Sequence, residues 1–223
     1  MLSFVIPAMN ECEGVKKVIT DINNKTANQD YEIIVVDTNS TDGTKEAARE
    51  LGAIVIDEPR RGYGRAYKTG FSKAKGDIII TLDADGTYPV DSAPQAVRML
   101  QNDGIDFITC NRFGGQAIVM KFSHKLGNHV LSFFVRALFG IKLRDSQSGM
   151  WIFKKNILPK LNLTADGMAF SEEIKIEAFS KVKSAEIPIN YMARLGDVKL
   201  RGFSDGFENL KFLFRKKPAL ART

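Results

Sequence analysis

Two carboxylates stand one residue apart at the end of an apolar run near the middle of the chain. The stretch DIIITLDADGTYPVD, residues 77–91, passes from this run directly to Asp83 and Asp85. Two like charges this close make each other costlier to ionise, so the pair indicates a positive partner. Hard cations such as Mg²⁺ take oxygen ligands, typically one or two carboxylates together with substrate phosphates. The spacing therefore predicts a divalent-metal site formed by Asp83 and Asp85.

The elements that must position this pair alternate between short apolar runs and helix-like segments. The runs that are typical of β-strands cover residues 3–8, 31–37, 53–58, 77–83 and 105–110. Nearly continuous apolar strands separated by helices are typical of a mainly parallel sheet covered on both faces. We therefore predict an α/β fold in which ligands bind beyond the carboxyl ends of the strands.

Polar segments follow four of these strands. PAMNE follows the first strand, DTNSTDGT the second, DADGTYP the fourth and NRF the fifth. Because the carboxyl ends of parallel strands meet at one edge of a sheet, these segments are expected to converge on one site.

The second half of the chain differs in composition. Residues 122–139 form an aromatic and basic helical pattern, and residues 171–182 are expected to form another amphipathic helix. Residues 184–194 indicate a strand that runs into a loop. The basic tail indicates a short helix near residues 204–217. An apolar face flanked by Lys and Arg is typical of helices that lie in a membrane interface, although such helices also pack on their own domain.

The composition excludes some classes of protein. The 223 residues suit one domain, or one domain with an appendage, and the net charge of +6 favours an anionic partner. No apolar run is long enough to predict a membrane-spanning helix. The pattern RRGYGRAYKTG lacks the third glycine of a dinucleotide-binding motif and does not follow the first strand. Nucleic acid is not an expected partner, because the acidic loops would repel a phosphate backbone.

Six motifs together resemble a known family. FVIPAMNE, IIVVDTNSTDGT, GDIIITLDADGTYP, NRF, DSQSGMWIF and SEEI occur in this order over roughly residues 3–200. The chain resembles the family 2 glycosyltransferases, which have the GT-A fold. In particular it is similar to the dolichyl-phosphate mannose synthase group and its glucose- and N-acetylglucosamine-transferring relatives. Thr87 stands where the mannose synthases usually carry glutamine as an additional metal ligand.

The resemblance implies roles at matching positions. The residues implied to bind the nucleotide sugar are Pro7, Asn10, Glu11, Asp37, Asp83, Ala84, Asp85, Arg194 and Lys199. Of these, Asp83 and Asp85 would hold Mg²⁺ or Mn²⁺, and Asp85 and Arg112 would be the catalytic residues. The residues expected at an acceptor phosphate are Arg112, Lys121, His124 and Lys125.

The implied reaction is inverting transfer of one hexose or N-acetylhexosamine from GDP-mannose, UDP-glucose or UDP-N-acetylglucosamine to dolichyl or another polyprenyl phosphate. A phosphate acceptor is already an anion at neutral pH and needs no general base. The alternative is the same fold acting on a saccharide hydroxyl, with Glu172 or Glu173 as general base.

The resemblance also implies a division of the chain and a location. We expect a catalytic domain over residues 1–202, with a donor half to about residue 112 and an acceptor half from about 113. A basic amphipathic segment over 203–223 would follow. The protein is expected to be cytoplasmic and peripheral on the cytoplasmic face of a membrane. The sequence gives no oligomeric state.

Overall fold

The computed structural model of the chain describes residues 1–27, 29–115, 122–196 and 202–220. The strands are β1 (Leu2–Ala8), β2 (Tyr31–Asp37), β3 (Ile54–Asp57), β4 (Ile78–Thr81), β5 (Phe107–Asn111), β6 (Trp151–Lys154) and β7 (Ser184–Pro188). The helices are α1 (Cys12–Thr26), α2 (Thr44–Glu50), α3 (Tyr63–Lys73), α4 (Ala93–Asn102), α5 (Phe122–Phe139), α6 (Phe170–Lys181) and α7 (Gly202–Leu220). Short 3-10 turns cover Val90–Ser92 and Lys155–Lys160.

The described strands form one mixed sheet in the order β3-β2-β1-β4-β6-β5-β7. β1 pairs in parallel with β2 and β4, and β5 pairs in parallel with β7. The prediction of a mainly parallel α/β sheet is confirmed. The sequence did not predict β6, which lies antiparallel between β4 and β5. It is four residues long, too short for its apolar pattern to identify a strand.

The central strands are buried on both faces of the sheet. Phe4 and Ile6 of β1 belong to an apolar cluster with α1 and α4, whereas Val5 belongs to a second cluster with α3 and α6. Successive side chains of a strand point to opposite faces, so β1 contributes to both clusters. This burial explains why the strands are recognisable as apolar runs. The parallel pairing of β1 with β2 and β4 brings the carboxyl ends of these three strands to one edge of the sheet.

The prediction that residues 171–182 form an amphipathic helix was wrong in one respect. All residues of α6 from Phe170 to Ala178 are buried, including its Glu and Lys side chains. The helix packs on α3, α5, β5 and β7. Lys216 of α7 pairs with Glu173 and Glu177 at 2.9 and 2.8 Å, so buried charges on α6 are compensated.

The helices α5 and α7 pack against each other and against α6. Val135, Leu213 and Ile176, one from each helix, are fully buried in a shared apolar cluster. The inner side of α7 therefore packs on the domain. None of the described helices is long and apolar enough to span a membrane.

An exposed apolar face remains on the outer side of this helix pair. We define the apolar face by the exposed residues Leu126, Val130 and Phe133 of α5 and Phe207 and Phe214 of α7. Within each helix these residues recur at spacings of three, four or seven, which places them on one side. The face is available for a partner beyond the domain's own core.

Candidate active site

A cavity of about 310 Å³ opens at the carboxyl ends of β1, β2 and β4. Its described lining residues are Pro7, Ala8, Met9, Glu11, Thr38, Arg61, Gly62, Tyr63, Ala66, Asp83, Ala84, Asp85, Met168 and Arg194. This list includes six of the residues that the resemblance implied for donor binding. The convergence of several strand ends, expected from the parallel topology, brings them together.

Asp83 is held by two tyrosines of α3. The phenol of Tyr63 donates to its Oδ1 over 2.9 Å, and that of Tyr67 lies 3.4 Å from the same oxygen. Burial and the charge of Asp85 raise the pKa of Asp83 to about 7, and the hydrogen bond from Tyr63 offsets part of this rise. Because Tyr63 donates to Oδ1, the other carboxylate oxygen of Asp83, Oδ2, remains available for a cation.

Asp85 is almost fully buried and has its two oxygens in different environments. Its Oδ1 accepts hydrogen bonds from the backbone N–H and the hydroxyl of Thr87, at 3.0 and 2.7 Å. Its Oδ2 contacts the guanidinium of Arg194. The positive charge that compensates Asp85 in this structure is therefore Arg194. Thr87 orients the carboxylate through hydrogen bonds.

Two glycines let the chain carry these carboxylates at the strand end. Gly86 has a φ of +74°, a conformation that other residues rarely adopt, and it turns the chain directly after Asp85. Gly14 of α1 lies so close to the Ala84 carbonyl that an added Cβ would be 2.2 Å from its oxygen. The start of α1 thus packs directly on the Asp83–Asp85 segment.

Asn10 and Asp37 lie beside the cavity in a hydrogen-bonded pair of loops. The Asn10 N–H donates to Ser40 Oγ over 2.8 Å, and Asn10 Oδ1 accepts from the Thr41 N–H at the same distance. The Ser40 N–H donates to Oδ2 of the buried Asp37 at 3.0 Å. Asp37 Oδ1 is buried without a hydrogen-bond partner among the described residues. These contacts fix the loops that follow β1 and β2.

Arg112 is buried and held by Asp145. Its Nε and Nη2 donate to the two carboxylate oxygens at 2.7 and 2.8 Å, a bidentate pair. Burial alone would raise the pKa of Asp145, but the charge of Arg112 lowers it below its usual value. Tyr191 lies against the guanidinium, 5.4 Å from its carbon to the ring centre. Arg112 is therefore a cation of fixed orientation.

The DSQSGM segment, residues 145–150, contacts both Arg112 and Asp83. Its Asp145 holds Arg112, and its Gly149 lies so close to Asp83 that an added Cβ would be 3.1 and 3.2 Å from the carboxylate oxygens. Gln147 donates to Glu172 at 2.9 Å and accepts from Asn209 of α7 at 3.0 Å. One segment therefore connects the cavity, α6 and α7.

Glu172 and Glu173, the two candidates for a general base, form hydrogen bonds with neighbouring parts of the fold. Glu173 accepts hydrogen bonds from the Thr164 hydroxyl, from two backbone N–H groups and from Lys216. Burial raises the pKa of Glu172 to about 8, and the hydrogen bond from Gln147 offsets part of this rise. Neither glutamate is among the described residues that line the cavity.

Three residues predicted at the acceptor phosphate, Arg112, His124 and Lys125, are not among the described residues that line the cavity. His124 and Lys125 are half-buried on α5. Lys121 and Lys199 lie outside the described residues. The cavity residues Arg61, Gly62 and Tyr63 were not predicted from the sequence, although the pattern RRGYGRAYKTG contains all three. Its glycines were a usable signal: at Gly62 an added Cβ would lie 2.4 Å from the Asp166 carbonyl oxygen.

The donor set of the cavity fits a hard divalent cation. Asp83 and Asp85 supply carboxylate oxygens, the ligand type that Mg²⁺ and Mn²⁺ prefer. No cluster of three or more His, Cys, Asp or Glu ligands occurs within the described ranges. Two carboxylates without a third protein ligand are typical of a site that substrate phosphates complete.

The fold and this site together define a glycosyltransferase of the GT-A type, and comparison with known proteins agrees. Residues 3–161 match the model of the family described as Glycosyl transferase family 2. The chain belongs to this family. It is similar to solved structures of glucosyl-3-phosphoglycerate synthase from Mycobacterium tuberculosis. One, a complex with Mn²⁺, UDP and glucosyl-3-phosphoglycerate, has a TM-score of 0.80 at 22% identity over 97% of this chain and 79% of that one.

Curated relatives are similar over most of the chain. A low-salt glycan biosynthesis hexosyltransferase of Haloferax volcanii is 33% identical over 97% of this chain and 54% of its own length. A dolichyl-phosphate hexose transferase of the same organism is 30% identical over 92% and 89%. A dolichol-phosphate mannosyltransferase of Pyrococcus furiosus is 31% identical over 96% and 63%. The chain thus spans about half of the first relative and most of the second.

Proposed function

We propose that the protein transfers one hexose or N-acetylhexosamine from a nucleotide sugar to dolichyl or another polyprenyl phosphate, with inversion at carbon 1. The observation that carries this proposal is the charge arrangement at the cavity. Asp83 and Asp85 lie in its wall with Arg194, whereas neither Glu172 nor Glu173 does. This arrangement suits a charged donor and an acceptor that needs no general base.

The donor would bind at the carboxyl ends of β1, β2 and β4. We assign the nucleoside to the side formed by Pro7, Asn10, Glu11 and Asp37, and the diphosphate to Asp83, Ala84, Asp85 and Arg194. Lys199 would join Arg194. A Mg²⁺ or Mn²⁺ ion held by Asp83 and Asp85 would stabilise the negative charge of the leaving nucleotide diphosphate. The matched synthase complexes, which contain UDP with Mn²⁺ or Mg²⁺, support this assignment.

The acceptor phosphate would bind at Arg112. The bidentate contact with Asp145 fixes the plane and direction of its guanidinium, so a phosphate that it contacts is positioned for attack at carbon 1. A phosphate monoester has a second pKa of about 6 and is a nucleophile at neutral pH without loss of a further proton. Lys121, His124 and Lys125 remain proposed contributors. The acceptor half would then begin near residue 113.

The apolar face supports a lipid-linked acceptor. Phe133, Phe207 and Phe214 are 58%, 59% and 53% exposed, unusual for phenylalanine in a folded domain. Arg215 and Lys217, both exposed, flank this side of α7. Exposed aromatic side chains with neighbouring cations suit binding at an anionic membrane surface. We therefore propose peripheral attachment, on the cytoplasmic face of the membrane, through α5 and α7.

A donor and acceptor panel tests the proposal. GDP-mannose, UDP-glucose and UDP-N-acetylglucosamine are each offered with dolichyl phosphate and Mg²⁺ or Mn²⁺, and lipid products are read by mass spectrometry. Asp85→Asn serves as the inactive variant. Asp91→Asn is its matched control, because Asp91 is exposed and pairs with Lys25 away from the cavity.

One glycosyl-phospholipid, made from one donor and lost in Asp85→Asn but not in Asp91→Asn, is the expected result, and it names the sugar. Donor hydrolysis without a lipid product would instead support the donor site and overturn the acceptor assignment. A saccharide hydroxyl would then be the acceptor to test, with Glu172→Gln as the critical variant.

A further inference from the structure

Both oxygens of the Asp85 side chain are already engaged by protein groups. Two donors of Thr87 hold Oδ1, and the guanidinium of Arg194 contacts Oδ2. The side chain of Asp85 is 2% exposed, which leaves little room for a further ligand to approach. A divalent ion that binds through Oδ2 therefore has to displace the guanidinium, because two cations cannot share that position without strong repulsion.

Arg194 lies in a segment that is suited to such an exchange. Residues 189–196 are in neither helix nor strand. Backbone hydrogen bonds of 2.9 Å run from Leu195 to the Asp85 carbonyl and from Met192 to the Thr87 carbonyl. The segment is thus attached to the carboxylate motif through its backbone. The Arg194 side chain, 27% exposed, lies at the cavity. Its guanidinium can change partners without displacing the segment.

We propose that Arg194 and the divalent ion occupy Asp85 Oδ2 in turn, and that the donor's diphosphate draws the guanidinium away. This inference rests on the proposed metal and donor sites. A diphosphate offers the guanidinium a charge-assisted, bidentate contact. This contact would replace the single contact with Oδ2 of Asp85. Nucleotide binding therefore exposes Oδ2, and the metal binds more tightly to the nucleotide complex than to the protein alone.

The exchange predicts a stronger coupling between nucleotide binding and metal binding than direct coordination of the ion by the nucleotide would give. A nucleotide phosphate that coordinates the ion tightens metal binding in any variant. The exchange adds a second contribution, which exists only while residue 194 can contact Asp85. By thermodynamic linkage, the factor by which UDP tightens Mn²⁺ binding equals the factor by which Mn²⁺ tightens UDP binding. Both factors should fall when Arg194 is replaced.

The test measures Mn²⁺ binding to the full chain with and without UDP, from the loss of the electron paramagnetic resonance signal of free Mn²⁺. The variants are Arg194→Gln and Asp85→Asn. Arg98→Gln is the matched control, since Arg98 is exposed on α4 outside the cavity. Calorimetry of UDP binding with and without Mn²⁺ gives the reciprocal factor. Thermal unfolding verifies that each variant is folded.

Arg194→Gln is expected to bind Mn²⁺ alone about fivefold more tightly than the wild type, an effect typical of removing a partly exposed ion pair. The factor by which UDP tightens Mn²⁺ binding is expected to be smaller in this variant than in the wild type, by about fivefold or more. Arg98→Gln should match the wild type, and Asp85→Asn should lose Mn²⁺ binding.

An unchanged coupling factor in Arg194→Gln overturns the exchange, even if Mn²⁺ alone binds more tightly, because simple removal of a repelling charge acts equally with and without UDP. Weaker binding of Mn²⁺ alone in Arg194→Gln overturns it as well. Mn²⁺ binding that survives Asp85→Asn, or is absent from the wild type with UDP, overturns the proposed metal site itself. The two failures are therefore distinguishable.

Discussion

The cavity and the apolar face differ in how their side chains are held. Asp85 in the cavity wall and Arg112, which is not among the described lining residues, are at most 7% exposed, and each has several hydrogen-bond or ionic contacts. On the apolar face, Phe133 and Phe214 are more than half exposed. Chemistry at one carbon atom requires groups fixed in advance, whereas contact with a fluid lipid surface requires exposed apolar area and little fixed geometry.

The two regions are connected through the interior. Gln147 lies between Glu172 of α6 and Asn209 of α7, and its backbone N–H donates to Asp145 at 3.1 Å. Asp145 in turn holds Arg112. A helix that carries part of the apolar face is thus hydrogen-bonded to the segment that orients the proposed acceptor cation. The side chains of the apolar face point outward and are not part of this connection. Changes at the cavity should therefore alter turnover, and changes of these exposed side chains should alter binding to a surface.

The largest effect is expected for Asp85→Asn. The change keeps the shape of the side chain and removes the charge that contacts Arg194 and would hold the metal. Transfer should fall about a thousandfold, as for the loss of a preorganised electrostatic group. Steady-state rates of product formation, with Asp91→Asn as control, measure it. A loss below tenfold would show that the carboxylate pair is not the chemical centre.

The next effect is expected for Arg112→Lys. An ammonium group keeps the charge but cannot form the bidentate contact with Asp145 that fixes the guanidinium. Transfer should fall about a hundredfold, with a higher KM for the lipid phosphate and little change in the KM of the donor. Kinetics with each substrate varied in turn separate the two. A change confined to the KM of the donor would instead assign Arg112 to the donor site.

A smaller effect is expected for Phe133→Ser and Phe214→Ser. Each change should weaken binding to anionic vesicles about tenfold, the effect of partly burying one Phe side chain. Vesicle sedimentation measures the binding, and Ile54→Ser on β3 is the matched control, since Ile54 is also exposed but lies outside the face. Turnover with a short, water-soluble acceptor phosphate should stay within twofold. Equal vesicle binding by variants and control would assign the face another role.

The smallest effect on transfer is expected for Glu172→Gln, whose main effect is on stability. The folded protein retains the Glu172 proton up to about pH 8, whereas an unfolded chain releases it near its ordinary value of 4.5. The wild type therefore loses stability relative to Glu172→Gln as the pH rises from about 4.5 to about 8. Urea unfolding at pH 4, 6 and 8.5 tests this. Burial lowers the pKa of the neighbouring Lys175 to about 7. This lysine is present in both proteins, so the difference between them reports mainly on Glu172. A constant difference across these pH values would contradict the burial of the acid.

Transfer by Glu172→Gln should stay within about threefold of the wild type if the acceptor is a phosphate, since no general base is then required. A loss of several orders of magnitude would favour the saccharide-hydroxyl alternative. The stability and rate measurements on this one variant therefore report on different questions.

Much of the fold could be predicted because its signals are local. The β-branched runs predicted β1, β2 and β4 within two residues of their ends, and the parallel arrangement then placed their polar ends together. The placement of Asp83, Asp85 and Glu11 in one cavity follows from that arrangement. The helical pattern over residues 122–139 was also correct, because a repeat of 3.6 residues is visible in the sequence alone.

The contacts that the sequence did not reveal join residues far apart in the chain. Periodicity could not show that the Glu and Lys side chains of α6 are buried, because their compensation comes from Lys216 of a later helix. It also could not show that Tyr63 holds Asp83, that Asp145 holds Arg112, or that β6 lies antiparallel between β4 and β5.

The sequence by itself determined the family, the carboxylate pair and the edge of the sheet where that pair lies. These depend on residue types and on spacings of a few positions. Only the tertiary structure decided which partner each charged group has, and that Arg194 is the cation at Asp85. The physical reason is that the energy of a charge depends on its burial and on the distance to its partners, which the folded chain alone defines.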